Sequence, residues 1–419
     1  MSTPAATAAA LDHLESMATL HPELSDKYTE LSTMLSKKLY HQLTTETLDL
    51  VNNRRDLLRL TAEGVNGYLA LYDKVILSVD KKLNQLALAR IASSVANSLI
   101  QQQEDGNNDD GVAAKAVLEN LLEKKDRLGA AASLYASSKL GLLTLTLMER
   151  QRSMDATALE SIKGMLKEKK VALTELSDTN RNDGDTAVVH SAYYECAMTY
   201  RKAVGPPEAY YREAIQYLAY TSLDSLSSEK QLELATDLCV AALTGEGVYN
   251  FGEVAHNNAA ILASLEGTPN DWLVKLIHAS ANGDVTGLDQ ITTEYATQIQ
   301  NQPALLNRAT LVKEKITLLA LVNMVFERPS NERTLNFADI AERIQLPQDQ
   351  VELVIIRALS LGLIKGSMDQ IDETVHVTWV MPRVLDNNQL TDLAQRFGEW
   401  AVKVSKTKDF MDEHIPTFA

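Results

Sequence analysis

Cys196 and Cys239 are the chain's two thiols, and eight histidines accompany them. A thiolate nucleophile needs a base held against it, and zinc needs closely spaced nitrogen or sulfur donors. Cys196 follows His190 by six residues, a separation of about 240° around a helix, so the two side chains leave it on different sides. No Cys-x-x-Cys, His-x-His or His-Glu-x-x-His spacing occurs, which removes the common local signatures of a zinc site or a redox pair. A Walker-type phosphate loop needs Gly-Lys, and that dipeptide is absent. Gly245-Glu-Gly247-Val-Tyr-Asn250 approaches a dinucleotide fingerprint, but it lacks the third glycine and follows a helical pattern instead of a strand. There is no Gly-x-Ser-x-Gly elbow. Acidic residues are numerous, as solvated helix faces require, and no spacing singles out an acid–base pair. The sequence therefore points to no catalytic residue, no cofactor and no metal. Its thiols read as buried structural cysteines in a reducing compartment.

The elements that would have to position any chemistry are helices. Leu31, Leu35, Leu39 and Leu43 keep one face apolar at a spacing of four. Leu83 to Leu99, Asp126 to Met148 and Ala156 to Leu176 continue the habit. From His190 onward the segments pair up as helix, Gly/Pro-containing turn, helix: 190–204 with 208–221, 230–243 with 250–265, and 271–281 with 286–300. Such pairs resemble tetratricopeptide units, which expose an apolar face until a neighbour covers it. Two polar stretches, Gln101 to Gly111 and Ser177 to Thr186, bury too little to offset their ordering entropy and are expected as exposed loops.

The pattern changes after Pro303. A long apolar helix over 310–326 precedes short helices over 337–344 and 351–361, whose expected core positions are Val351, Val354, Ile355, Ala358 and Leu359. Val375, Val377, Trp379 and Met381 then alternate with polar or less demanding neighbours, with 364–368 as a partner strand across a turn at 369–373. Three helices and a two-stranded wing make a winged helix. Last comes an amphipathic helix over 386–408 with Leu390, Leu393, Ala394, Phe397, Ala401 and Val404 on one stripe and Trp400 beside it. The chain thus reads as mostly α: a right-handed tetratricopeptide-like helical solenoid, a winged-helix module and a C-terminal helix.

Composition sets limits on the partners. The chain has 419 residues, 45% hydrophobic and 23% charged, with aromatics at only 5%, enough apolar material for two or three domains. Its formal charge of −16 opposes nucleic acid and anionic membranes alike. Between Asn331 and Leu385, five Lys/Arg face eight Asp/Glu, the reverse of what a winged-helix DNA reader needs. The first residues, MSTPAATAAALDHLESMATL, lack a basic n-region and a continuous apolar run, and no stretch reaches the roughly 20 apolar residues of a membrane span. A cytoplasmic or nuclear location is the expectation.

A helical solenoid running directly into a winged helix resembles the PCI domain, shared by the proteasome lid, the COP9 signalosome and a translation initiation factor complex. VELVIIRALSLGLIKGSMDQIDETVHVTWVMPRVLD (Val351 to Asp386), LTGEGVYNFGE (Leu243 to Glu253), KKLYHQLT (Lys37 to Thr44) and FERPSNERTLNFADIA (Phe326 to Ala341) are similar to a family of proteasome lid subunits. The resemblance spares the first twenty residues and the stretch 101–111. It implies 1–207 as an N-terminal helical-repeat solenoid, 208–385 as a PCI domain (helical part 208–305, winged helix 306–385) and 386–419 as an amphipathic helix and tail. It also implies a non-catalytic scaffold that supports lid assembly and ubiquitin-dependent degradation. Other lid PCI subunits would be met through the winged helix, and a helical bundle through the C-terminal helix, with a ubiquitin receptor nearby. The contact residues expected on that helix are Leu390, Leu393, Phe397, Trp400 and Val404. A signalosome or initiation-factor scaffold, and a nucleic-acid-binding winged helix, are the alternatives.

Overall fold

Leu31 and Leu35 fall in one buried stripe, and spacing of this kind organises helix after helix. The computed structural model describes residues 4–20, 22, 25–53, 67–101, 109–123, 128–179, 184–328, 332–385 and 387–414. The chain divides into two compact units, Met1–Thr221 and Ser222–Ala419. Of the two stretches expected as loops, 102–108 and 180–183 lie outside the described residues; 101, 109–111, 177–179 and 184–186 are helical instead, continuing the helices on either side.

The first unit is built of the helices Pro4–Leu20, Ser25–Ser36, Tyr40–Asn53, Gln85–Gln101, Asp109–Glu123, Ala130–Gln151, Ala156–Thr179, Gly184–Val204 and Pro207–Tyr220. Leu14, Tyr28, Leu31, Leu43, Ile76 and Ile91 are sealed in its core. Small residues set the close crossings. A Cβ on Gly141 would lie 2.9 Å from Cys196 Sγ and 2.9 Å from Met165 Cε, atoms of two neighbouring helices. Gly184–Val204 pairs with Pro207–Tyr220 across a turn in which Gly205 takes a positive φ.

In the second unit, Ser228–Thr244, Asp271–Asn282, Val285–Glu294 and Ala309–Glu327 are the main helices before the sheet. Local chemistry sets their ends. The Ser227 side chain accepts from the Lys230 amide, the Asp284 carboxylate accepts from the Gly287 amide, and Gly283 closes its helix in the left-handed region. Two helices expected as continuous are interrupted. Residues 250–265 form a π-helical turn at Glu253–Asn257 and a short helix at Ala259–Ala263, and the next segment breaks at Tyr295. In the turn after Ser228–Thr244, Gly247 takes the left-handed conformation at φ +72°, while Gly245 has φ −70°.

Beneath this turn lies Lys315, 1% exposed. Its ammonium donates to the carbonyls of Ala242 (2.7 Å), Leu243 (3.2 Å) and Gly245 (2.8 Å). These include carbonyls that the end of an α-helix leaves without an intrahelical partner. The Phe251 and Tyr249 rings stand 5.1 and 5.8 Å from the same nitrogen.

The winged helix contains Phe337–Ile344 and Gln348–Ser360 with a sheet of order β1-β3-β2: β1 Thr334–Asn336, β2 Ile364–Asp369 and β3 Thr374–Val380, all antiparallel. All strands among the described residues lie here. A two-stranded wing was expected, and the third strand is a correction: Thr-Leu-Asn is too short to display an alternation. Val351, Ile355 and Ala358 are buried as expected, whereas Val354 and Leu359 are half-buried.

Trp379 departs from the alternation of its strand. Val375 and Val377 point inward, but Trp379 is 37% exposed. The register explains it. Lys365 pairs with Trp379 and Gly366 with Val377, so Thr378 is an extra residue and the faces of β3 exchange beyond it. The Trp379 ring instead lies under the Lys365 ammonium at 4.9 Å. Gly366 allows this bulge, since a Cβ there would fall 2.0 Å from the His376 carbonyl oxygen. Trp379→Ala should therefore cost about 1 kcal/mol, well below the ~3–5 kcal/mol of a core aromatic; denaturant titration measures it, and a core-sized loss would contradict the outward placement.

Candidate protein-interaction surfaces

The helix Asn387–His414 carries the predicted contact residues. Phe397 is 62% and Trp400 64% exposed; Leu390 and Val404 are also exposed, and Leu393 is half-buried. Leu390, Leu393, Phe397 and Val404 share the expected stripe, with Trp400 beside it. The helix is longer than predicted, and Met411, seven residues beyond Val404, prolongs the same face, with exposed Phe410 beside it. Both were missed because the pattern was ended at Lys408. The usable signal was the lack of any glycine or proline between Lys408 and Pro416. Arg396 Nη2 reaches back to its own unit and donates to the Glu327 carbonyl at 3.4 Å.

A second exposed apolar area lies on the third helix of the winged helix. Leu353 is 67% exposed and Ile356 is exposed beside it. Leu353, Val354, Leu346 and Leu318 line a groove of 420 Å³ between Ala309–Glu327 and Gln348–Ser360. An ion pair, Arg357 Nε to Glu314 Oε1 at 2.7 Å, spans its mouth. An exposed apolar groove of this size suits the apolar face of an amphipathic helix.

The residues first considered for chemistry lie elsewhere. Cys196 and Cys239 are fully buried, and burial pushes both thiols up to about 12, far from a reactive thiolate. His190 stacks on Tyr220 at a centroid distance of 4.5 Å, and burial holds its pKa below the ordinary value. Among the described residues, no group of three or more His, Cys, Asp or Glu side chains is placed to hold a metal ion, and no helix is long and apolar enough to cross a membrane.

Comparison with known proteins adds to this geometry. The family described as PSD13 N-terminal repeats matches residues 27–277, and the PCI domain matches residues 292–379. The 26S proteasome non-ATPase regulatory subunit 13 of Dictyostelium discoideum is 31% identical over 97% of this chain and 98% of its own length. Homolog B of the same subunit from Arabidopsis thaliana is 32% identical over 97% of this chain and 98% of its own. Eukaryotic translation initiation factor 3 subunit M of Coccidioides immitis matches at 24% over only 58% of this chain and 50% of its own length.

Proposed function

We propose a function on one premise: the chain belongs to the family of 26S proteasome non-ATPase regulatory subunit 13, with PSD13 N-terminal repeats followed by a PCI domain. It is a scaffold subunit of the lid of the proteasome regulatory particle and serves ubiquitin-dependent degradation through assembly, without chemistry of its own. The observation that carries this is similarity across nearly the whole length of the subunit 13 relatives, against a partial match to the initiation-factor subunit. The surfaces support it. Exposed large apolar residues sit on the third helix and the C-terminal helix, while the two thiols are buried and unactivated.

In this proposal the winged helix meets other PCI subunits of the lid and the C-terminal helix enters a helical bundle, with a ubiquitin receptor nearby. The protein works in cytoplasm and nucleus. The functional divisions are 1–207, 208–385 and 386–419. The test is to purify the tagged full-length chain from cells at low salt, measure the native mass of what it carries and identify the accompanying chains. Proteasome regulatory-particle subunits are the expected result. Signalosome or initiation-factor chains in their place would overturn it, as would salt-sensitive retention of nucleic acid without those subunits.

A further inference from the structure

We propose that the turn 245–252 and the strap 381–385 form a clamp that fixes the root of the C-terminal helix, with Asn250 and Gly252 as its positioning residues; this rests on that helix being an assembly contact.

The strap begins where β3 ends. The Met381 amide donates to the Leu363 carbonyl at 2.8 Å, which anchors its start to the winged helix. Arg383 then places its guanidinium 4.5 Å from the centre of the Phe326 ring. The Val384 amide donates to Asn250 Oδ1 at 3.2 Å. Asn250 Nδ2 meanwhile donates to Glu253 Oε1 at 2.9 Å, so the carboxylate turns the amide with its oxygen toward the strap. Met381, Arg383, Val384 and Leu385 are all half-buried in this bed.

Gly252 makes the contact possible. A Cβ there would lie 2.8 Å from the Val384 carbonyl oxygen and 3.0 Å from Val384 Cβ. Its backbone, at φ −60° and ψ −25°, is in the right-handed helical region open to any residue. The glycine is thus required by the approach of the strap and not by the local fold. The bed is itself held from below, because Lys315 grips the carbonyls at the start of the turn and stands under Phe251. The segment that came nearest to a nucleotide fingerprint in the sequence therefore has a mechanical use. A helix carrying large anchors binds a preformed surface best when its direction is set in advance, since a loosely tethered one must be ordered on binding.

The experiment uses the full-length chain with Gly252→Ala, and Asn250→Ala as a second variant that adds no atoms to the bed. Three quantities are read: melting temperature, the rate of tryptic cleavage after Arg383 followed by release of 384–419, and recovery in purified proteasome regulatory particles. For Gly252→Ala the melting temperature should hold or rise, because alanine suits that backbone better than glycine. Cleavage should quicken about tenfold in either variant, the effect of losing roughly one hydrogen bond's worth of closure. Recovery should fall by a similar factor. Unchanged cleavage in both variants would overturn the clamp, and so would faster cleavage with undiminished recovery. A chain truncated after Leu385 provides the separate check: full recovery of that chain would remove the assembly role of the helix itself, and the proposal with it.

Discussion

A chain ending at Leu385 should melt where the full-length protein melts and yet be lost from assembled regulatory particles. Phe397 and Trp400 are mostly exposed, and Leu390, Val404, Phe410 and Met411 join them at the surface; the Arg396 bond to the Glu327 carbonyl is long, at 3.4 Å. Removing such an element from the free protein takes away little buried apolar area, so stability should change little. Binding is different. Aromatic anchors dominate interface energetics, and the double change Phe397→Ala and Trp400→Ala should weaken incorporation by at least about 2 kcal/mol, or roughly thirtyfold. Melting temperature of the free chain is set against recovery with tagged regulatory particle. A large drop in melting temperature with normal recovery would make the helix an internal brace and end its candidacy as a contact.

Lys315→Met should destabilise the second unit by about 3–5 kcal/mol. Methionine retains most of the volume of the lysine stem, so the change isolates the loss of the ammonium. Three carbonyls, of Ala242, Leu243 and Gly245, would then face a dry pocket between Phe251 and Tyr249 with no donor. The methionine methyl group fills the ammonium's place in a site 1% exposed, so it leaves little room for a water to donate there. Arg308 offers the contrast. It donates to the neighbouring Thr244 carbonyl at 2.8 Å, but from a half-buried side chain 36% exposed, and Arg308→Ala should cost no more than about 1 kcal/mol. Equilibrium denaturation of the two variants reads the difference as a change in midpoint at constant slope. Equal, mild losses would mean that Lys315 is not the bolt of the turn.

The helical class, the late winged helix and the amphipathic final helix were legible because each is written in a repeating spacing that one side of an element must obey. Val351, Ile355 and Ala358 illustrate this, as do Phe397 and Trp400. What escaped was set by pairing or by distant contacts. The three residues of β1 acquire their identity from Thr374, Val375 and His376 opposite them. The outward turn of Trp379 depends on one extra residue, Thr378, that only the register reveals. Lys315 carries no local signal of its role, since its partners lie some seventy positions away. The strap and its bed are likewise invisible as a motif, because Asn250 and Val384 meet only after folding.

The burial of both thiols has a practical consequence. The chain has two cysteines and neither reaches solvent, so its folded surface is blank to maleimides and other thiol reagents. A cysteine placed at Gly398, where an added Cβ meets nothing within 4 Å, would be the one addressable handle on the molecule. Gly398→Cys sits one residue from Phe397 and two from Trp400, so a dye there would report the docking of that stripe as a change in brightness. A short photocrosslinker at the same atom would mark whichever chain closes over it, with the native sulfurs left in place.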